Sequence, residues 1–184
     1  MDIDKNIILD KDVSLAILKD KKIAIIGYGN QGRAQALNLN DSGLNIVVAL
    51  RDNSQSIKQA KKDGIKVLNI SKAVEWADLI CLLVPDKNAP EVYSDYINPY
   101  LNVGQTLLFS HGYNIYYKKI IINKNINVIM VAPSGGGALV REKYKEGNGI
   151  PALLAVEQDY SGNGLDIAKA YSKAIGGTRV CAFI

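Results

Sequence analysis

Ile23-Ala24-Ile25-Ile26-Gly27-Tyr28-Gly29-Asn30-Gln31-Gly32 decides how this chain is read. A short apolar run rich in isoleucine meets G-x-G-x-x-G, and a helix-like segment follows. That is the context a dinucleotide-binding fingerprint requires. Gly27 permits the tight turn, Gly29 lets the backbone approach a pyrophosphate, and Gly32 lets the helix pack closely on the strand. The backbone N–H groups at the helix start then face the phosphates with the helix dipole assisting.

The second half of the signal is Arg51, nineteen residues past Gly32, at the end of Asn45-Ile46-Val47-Val48-Ala49-Leu50. An acidic residue there would bond a ribose 2′-hydroxyl. An arginine suits a 2′-phosphate, so the expected cofactor is NADPH rather than NADH. Ser54 and Ser56 follow at the next helix start, where hydroxyls and N–H groups suit the same phosphate. Ser54 as a helix N-cap is a compatible role.

The rest of the chain alternates strand and helix patterns, which predicts an α/β fold. The expected form is a Rossmann-type, doubly wound, mainly parallel sheet with helices on both faces. The pattern predicts helices over 12–19, 30–42, 54–62, 90–98 and 162–175, and a short one opened by a Ser71–Glu75 capping box. It predicts strands over 23–26, 45–50, 79–84, 105–110, 127–132, 152–156 and 178–184. A length of 184 residues suits one domain, 1–184.

Composition bounds the partners. A hydrophobic share of 48% and a mean hydropathy of +0.01 suit a soluble globular chain. No apolar run has the length of a membrane span. Met1–Asp12 has no signal-peptide pattern, so a cytoplasmic location is expected. The net charge of +4 is spread over broken clusters. They read as solvated faces, not as a nucleic-acid footprint. Cys81 and Cys181 sit in apolar runs and are expected to be buried free thiols, not a redox or metal pair. Glu142 and Glu146 lie one helical turn apart without a His or Asp companion. A solvated face is favoured over a metal site there, and no metal ligand is assigned in this chain.

Three further segments follow predicted strands, where open α/β sheets bind ligands. Val84-Pro85-Asp86-Lys87-Asn88-Ala89 is expected to line the cofactor cleft, with an ordinary Pro-Asp turn as the alternative. His111, the only histidine, follows Phe109-Ser110. It suits polarising or protonating a reacting oxygen, or orienting substrate, with a structural role as the alternative. Pro133-Ser134-Gly135-Gly136-Gly137-Ala138 permits close backbone approach to a ligand, or is a flexible turn.

These motifs in this order resemble the N-terminal domain of the ketol-acid reductoisomerase (acetohydroxyacid isomeroreductase) family, short-chain form. The resemblance runs from about Leu9 to the last residue. It rests on 25–32, Leu50-Arg51, Ala77-Asp78, Pro85-Asp86, His111-Gly112-Tyr113-Asn114-Ile115, Val128-Ile129-Met130-Val131-Ala132-Pro133, Gly149-Ile150-Pro151-Ala152 and Gly176-Gly177-Thr178-Arg179. It implies NADPH contacts at Tyr28, Gly29, Asn30, Gln31, Arg51, Ser54, Ser56, Asp86, Lys87, Asn88, Ala89 and Gly137, and the active-site role at His111. The family isomerises 2-acetolactate or 2-aceto-2-hydroxybutanoate and reduces the product with NADPH, on the route to branched-chain amino acids.

The resemblance has departures. Arg33 stands where the family usually has His, and is expected to add positive potential near phosphate. Ser134 and Ala138 stand in a segment the family usually writes Pro-Lys-Gly-Pro-Gly-His. In the family, a following helical domain supplies the carboxylates for Mg²⁺, most of the acetohydroxy-acid pocket and most of the oligomer contacts. The 184 residues hold none of it, so the chain by itself is expected to bind NADPH with little or no turnover. The alternatives are a degenerate, non-catalytic NADPH-binding paralogue and another NADPH reductase whose substrate domain is small or borrowed.

Overall fold

Isoleucines 23 and 25 point to one side of their strand and Ala24 and Ile26 to the other, and all four are fully buried. A strand buried on both faces belongs in the middle of a parallel sheet covered by helices. The structure, a computed structural model, shows that arrangement. It describes residues 6–184. Part of the Met1–Asp12 segment and of the expected 1–184 domain therefore lies outside the described residues.

In chain order the elements are β1 (Ile7–Ile8), α1 (Ala16–Lys19), β2 (Lys22–Ile26), α2 (Asn30–Asp41), β3 (Asn45–Leu50), α3 (Ser56–Lys62), β4 (Val67–Asn69), α4 (Ile70–Trp76), β5 (Leu79–Leu82), α5 (Ala89–Val92), β6 (Thr106–Phe109), α6 (Tyr113–Tyr116), β7 (Asn127–Pro133), α7 (Gly137–Lys145), β8 (Ala152–Gln158), α8 (Gly164–Ala174) and β9 (Ala182–Phe183). The sheet order is β1-β9-β8-β7-β6-β5-β2-β3-β4. The run from β4 to β7 is parallel throughout. Its connectivity reverses between β2 and β5, the switch point at which doubly wound sheets open a crevice. β8 returns antiparallel to β7, β9 lies parallel to β8, and β1 closes that edge antiparallel to β9.

Two apolar cores flank the sheet. Ile23, Ile25, Val48, Leu79, Cys81, Leu108 and Ile129 meet α2 and α8 on one side. Ala24, Ile26, Val47, Ile80, Leu82, Leu107 and Phe109 meet α4 and α5 on the other. Each fully buried large aliphatic side chain stabilises the fold by roughly 1.5–3 kcal/mol relative to exposure.

The predicted elements need several corrections. The Ser71–Glu75 capping box does not form: Asn69 is the N-cap, and its side chain accepts from the Ser71 N–H. Glu75 is four residues from Ser71, one too many for the reciprocal bond. The predicted helix 12–19 is a 3-10 turn, Asp10–Asp12, followed by the short α1. The 90–98 helix is α5 running into a wider π-helical turn, Tyr93–Ile97. The predicted strand 178–184 is mostly a different structure. Gly177–Arg179 forms a 3-10 turn, and only Ala182–Phe183 pairs. Val180 and Ile184 are about half exposed, so that end is no core strand. Cys181 is likewise partly exposed, whereas Cys81 is fully buried. Burial pushes the Cys81 thiol up to about 12, which makes it inert at neutral pH.

Candidate nucleotide-binding cleft

The fingerprint turn is held by contacts that leave no room for side chains. Gly27 has φ +98°, and a Cβ there would lie 2.8 Å from the Leu83 carbonyl oxygen. A Cβ on Gly32 would lie 2.3 Å from the Gly27 carbonyl oxygen, so α2 sits directly on the turn. Gly29 differs: a Cβ there would meet nothing within 4 Å and would project into open space. Gly29 is also the N-cap of α2 and offers no capping side chain. The first-turn N–H groups are therefore left for an external acceptor.

Two depressions meet over this turn. One, of about 170 Å³, is lined by Gly27, Tyr28, Gly29, Arg51, Ser54, Ser56, Val84, Pro85, Asn88 and their neighbours. The other, of about 290 Å³, is lined by Gly29, Asn30, Gln31, Val84, Pro85, Asp86, Ala89, Ser110, His111 and Asn114. Gly29, Val84 and Pro85 belong to both. The result is one elongated cleft across the carboxyl ends of β3, β2, β5 and β6.

On the first side, Ser54 N–H donates to the Arg51 carbonyl at 2.9 Å. The N-cap of α3 is Gln55, not Ser54. The Ser54 hydroxyl still accepts from Ser56 N–H at 3.3 Å, so it organises the turn from one position earlier. On the second side, Asp86 Oδ2 lies 2.8 Å from His111 Nδ1. The Asn114 amide holds Asp86 by donating to its carbonyl at 3.1 Å.

Not every sequence-predicted residue faces this cleft. Lys87 is exposed and lines neither half. Gly32 is buried beneath the turn and acts by packing. Gly137 sits in a separate depression with Arg33, Ala34 and Arg141. A Cβ on it would lie 1.9 Å from the Asn30 carbonyl oxygen, so it lets α7 approach the start of α2. Asn30 also reaches across to accept from the Ala138 N–H at 3.1 Å. The Tyr28 side chain is buried, and its hydroxyl donates to Asp63 at 2.9 Å.

The expectation that Arg33 adds free positive potential near phosphate is corrected. Its guanidinium pairs with Asp63 through two bonds, at 2.7 and 3.1 Å. That pairing holds the Asp63 carboxyl well below its ordinary range, at about 2, with the Tyr28 and Gln59 hydrogen bonds adding to the effect. A charge satisfied in this way contributes little field to a neighbouring site. Asp63 was not singled out in the sequence, because it stands 30 residues from Arg33 with no motif linking them.

The family profile described as acetohydroxy acid isomeroreductase, NADPH-binding domain, matches residues 17–181. The chain belongs to that family. It is 55% identical over 170 residues to the ketol-acid reductoisomerase (NADP(+)) of Pyrococcus abyssi, covering 92% of this chain and 51% of that protein. It is 55% identical over 174 residues to the same enzyme of Methanocaldococcus jannaschii, covering 95% and 53%. The chain thus spans about half the length of the curated relatives it matches.

A solved structure of an NADH-preferring ketol-acid reductoisomerase from an uncultured archaeal source superposes with a TM-score of 0.94 at 43% identity, covering 96% of this chain and 55% of that one. A semialdehyde dehydrogenase NAD-binding protein from Cupriavidus necator superposes at 0.74 with 17% identity, covering 89% and 62%, and shares the fold alone. Among the described residues no helix is long and apolar enough to cross a membrane.

Proposed function

We propose that this chain is the nicotinamide-nucleotide half of a ketol-acid reductoisomerase, folded as one nucleotide-binding unit, with NADPH as cofactor. One observation carries the reading. Two adjoining depressions that share Gly29, Val84 and Pro85 lead from Arg51, Ser54 and Ser56, past the open face of Gly29, to Asp86 and His111. The residues fit the group: a guanidinium and two hydroxyls for a 2′-phosphate, an uncapped helix start for the pyrophosphate, and a partly polar cleft for the nicotinamide end. Bound NADPH supplies a hydride. Val84 and Pro85 wall the cleft, and Asp86 fixes the ring of His111, whose Nε2 then accepts from a reacting hydroxyl or, in the imidazolium form, protonates a reacting oxygen.

The reaction proposed for the complete enzyme is isomerisation of 2-acetolactate or 2-aceto-2-hydroxybutanoate, then NADPH-dependent reduction to a 2,3-dihydroxy acid in valine and isoleucine biosynthesis. The family's Mg²⁺ does not fit the described residues, among which no group of three or more His, Cys, Asp or Glu could hold a metal ion. Its ligands are assigned to the half of the relatives' length that these residues do not cover. The substrate pocket and the oligomer contacts belong there too, so these residues alone bind nucleotide and turn over little.

Titrating the chain with NADPH and NADH, followed by nicotinamide fluorescence, tests the reading. NADPH is expected to bind at least about 10-fold more tightly, the scale of one charge-assisted phosphate site. Equal affinities overturn the Arg51 assignment. Absence of binding by either nucleotide overturns the nucleotide reading.

Two observations favour other outcomes. The 43%-identical neighbour is described as NADH-preferring, and the titration decides between the cofactors directly. Ser134 is exposed where the family usually has lysine, which favours a degenerate, non-catalytic nucleotide binder. Joining the chain to a relative's C-terminal half, with and without Ser134→Lys, separates these. Activity only with the substitution supports degeneration.

A further inference from the structure

A chain of two amides, Gln31 half-buried and Gln35 fully buried, runs beneath the His111 end of the cleft, and its polarity is fixed by chemistry. It starts at the Gly135 carbonyl, which can only accept. Gln31 meets that oxygen at 2.8 Å, so the atom it presents must be Nε2. Its Oε1 then faces Gln35, and at 2.9 Å Gln35 must answer with its own Nε2. That same nitrogen lies 3.0 Å from Ser110 Oγ, so the second amide hydrogen is donated to the serine. The remaining Gln35 atom, Oε1, accepts from the Tyr171 hydroxyl at 2.8 Å. Gln35 and Tyr171 are fully buried, so water does not compete for these bonds. Reversing either amide would set two acceptors face to face.

Ser110 ends this chain on the wall of the cleft, next to His111. Its oxygen has accepted from Gln35. Among the described residues no acceptor takes its own hydroxyl hydrogen. Ser110 lies at the carboxyl end of β6, beyond β5 from the fingerprint strand, on the side of the sheet's crevice away from Arg51. A dinucleotide laid along the cleft with its 2′-phosphate at Arg51 brings its nicotinamide to this end. The ring carries a neutral carboxamide oxygen, which requires a donor when water is excluded.

We infer that Ser110 donates a hydrogen bond to the nicotinamide carboxamide, with Gln35, set by Gln31 and held by Tyr171, as the positioning residue that occupies its oxygen. The inference rests on the nicotinamide-nucleotide reading above. A serine with free choice of partner would donate or accept in the cleft. Here Gln35 occupies one lone pair of the Ser110 oxygen, and the hydroxyl hydrogen is left to point into the cleft. The same chain ties α2, α8 and the turn after β7 to the nicotinamide end, so their relative placement decides where that donor points.

The test compares NADPH with 2′-phospho-ADP-ribose, which has the adenosine half and no nicotinamide, binding to the 184-residue chain by calorimetry. Ser110→Ala is expected to weaken NADPH about 5- to 10-fold, the scale of one neutral hydrogen bond, and to leave 2′-phospho-ADP-ribose unchanged. Ser110→Thr, which keeps the hydroxyl, is expected to bind NADPH within about 2-fold of the unaltered chain on the same scale. Tyr171→Phe is expected to weaken NADPH alone, by less than Ser110→Ala, because the buried Gln35 Oε1 then loses its donor and the amide is held less firmly. Unchanged NADPH affinity in Ser110→Ala, or an equal loss for both ligands, overturns the assignment. Unchanged NADPH affinity in Tyr171→Phe overturns the positioning role. A chain that binds neither ligand before any substitution overturns the nucleotide reading instead.

Discussion

Asp86 Oδ2 stands 2.8 Å from His111 Nδ1, joining the loop after β5 to the end of β6 across the mouth of the cleft. A carboxylate can only accept from a neutral ring, so the proton sits on Nδ1 and Nε2 is left for a ligand. Asp86 is itself pinned by Asn114. The second nitrogen of His111 is thus oriented through Asp86, which Asn114 holds from 28 residues away in the sequence.

This orientation predicts a spectroscopic outcome. In the unaltered chain at a pH where the ring is neutral, the Nδ1–H tautomer is expected to dominate the ¹⁵N spectrum of His111. Asp86→Ala should turn the population toward Nε2–H. A spectrum unchanged by the substitution would show that the pair does not set the tautomer in solution.

The fingerprint glycines are expected to separate folding from binding. Gly32→Ala places a methyl group 2.3 Å from the Gly27 carbonyl oxygen, and a backbone atom cannot yield cheaply. A loss of roughly 2–4 kcal/mol in urea unfolding is expected, within the range for severe overpacking. Gly29→Ala meets nothing within 4 Å and has φ −79°, so the fold should survive with a nearly unchanged Tm. Its methyl group enters the space where a pyrophosphate approaches, and NADPH affinity should fall about 10-fold or more.

The Asp63 cluster predicts a pH dependence with a definite sign. Its folded-state value of about 2 lies below the ordinary 3.8, chiefly because Arg33 bonds the charged form. Such a group stabilises the fold above its unfolded value, and the contribution is lost as pH falls from about 4 to about 2. The Arg33 side chain is 48% exposed, so screening reduces the effect to roughly 1 kcal/mol. Asp63→Asn should cost about that much in urea unfolding at pH 7, with the difference shrinking toward zero near pH 2. A difference independent of pH would place its origin in packing.

The 2′-phosphate reading predicts a salt-dependent preference. Arg51→Ala should narrow the ratio of NADPH to NADH affinity by about 10-fold or more, with NADH itself little changed. Raising ionic strength should weaken NADPH more than NADH in the unaltered chain. Calorimetry at two salt concentrations checks both. A parallel loss for the two nucleotides would remove the phosphate from the role of Arg51.

Much of the parallel sheet was legible because the relevant physics is local. β-branched runs, G-x-G-x-x-G and the strand-terminal loops each fall within a few consecutive residues. Ser71 illustrates a local misreading, since its place at the helix start belongs to Asn69 two residues earlier. The 178–184 segment illustrates a different failure. Its residues are apolar, but Gly177 must pack so tightly on Ser172 that a Cβ would lie 2.4 Å from the serine hydroxyl. That contact belongs to a 3-10 turn against α8, and periodicity does not record it.

By itself, then, the sequence determined the alternation of strands and helices, the fingerprint turn, the arginine that follows the second core strand, and the presence of a histidine at a strand end. Only the tertiary structure decided which of those groups are available. Arg33 is spent on Asp63, Gly137 on Asn30, and the Tyr28 hydroxyl on Asp63. Ser110 finds its buried partner in Gln35, which Gln31 and Tyr171 hold in place from two helices. The reason is physical. Turn geometry and strand pattern depend on neighbours in the chain, whereas the partner of a polar group depends on which distant atoms folding brings within about 3 Å of it.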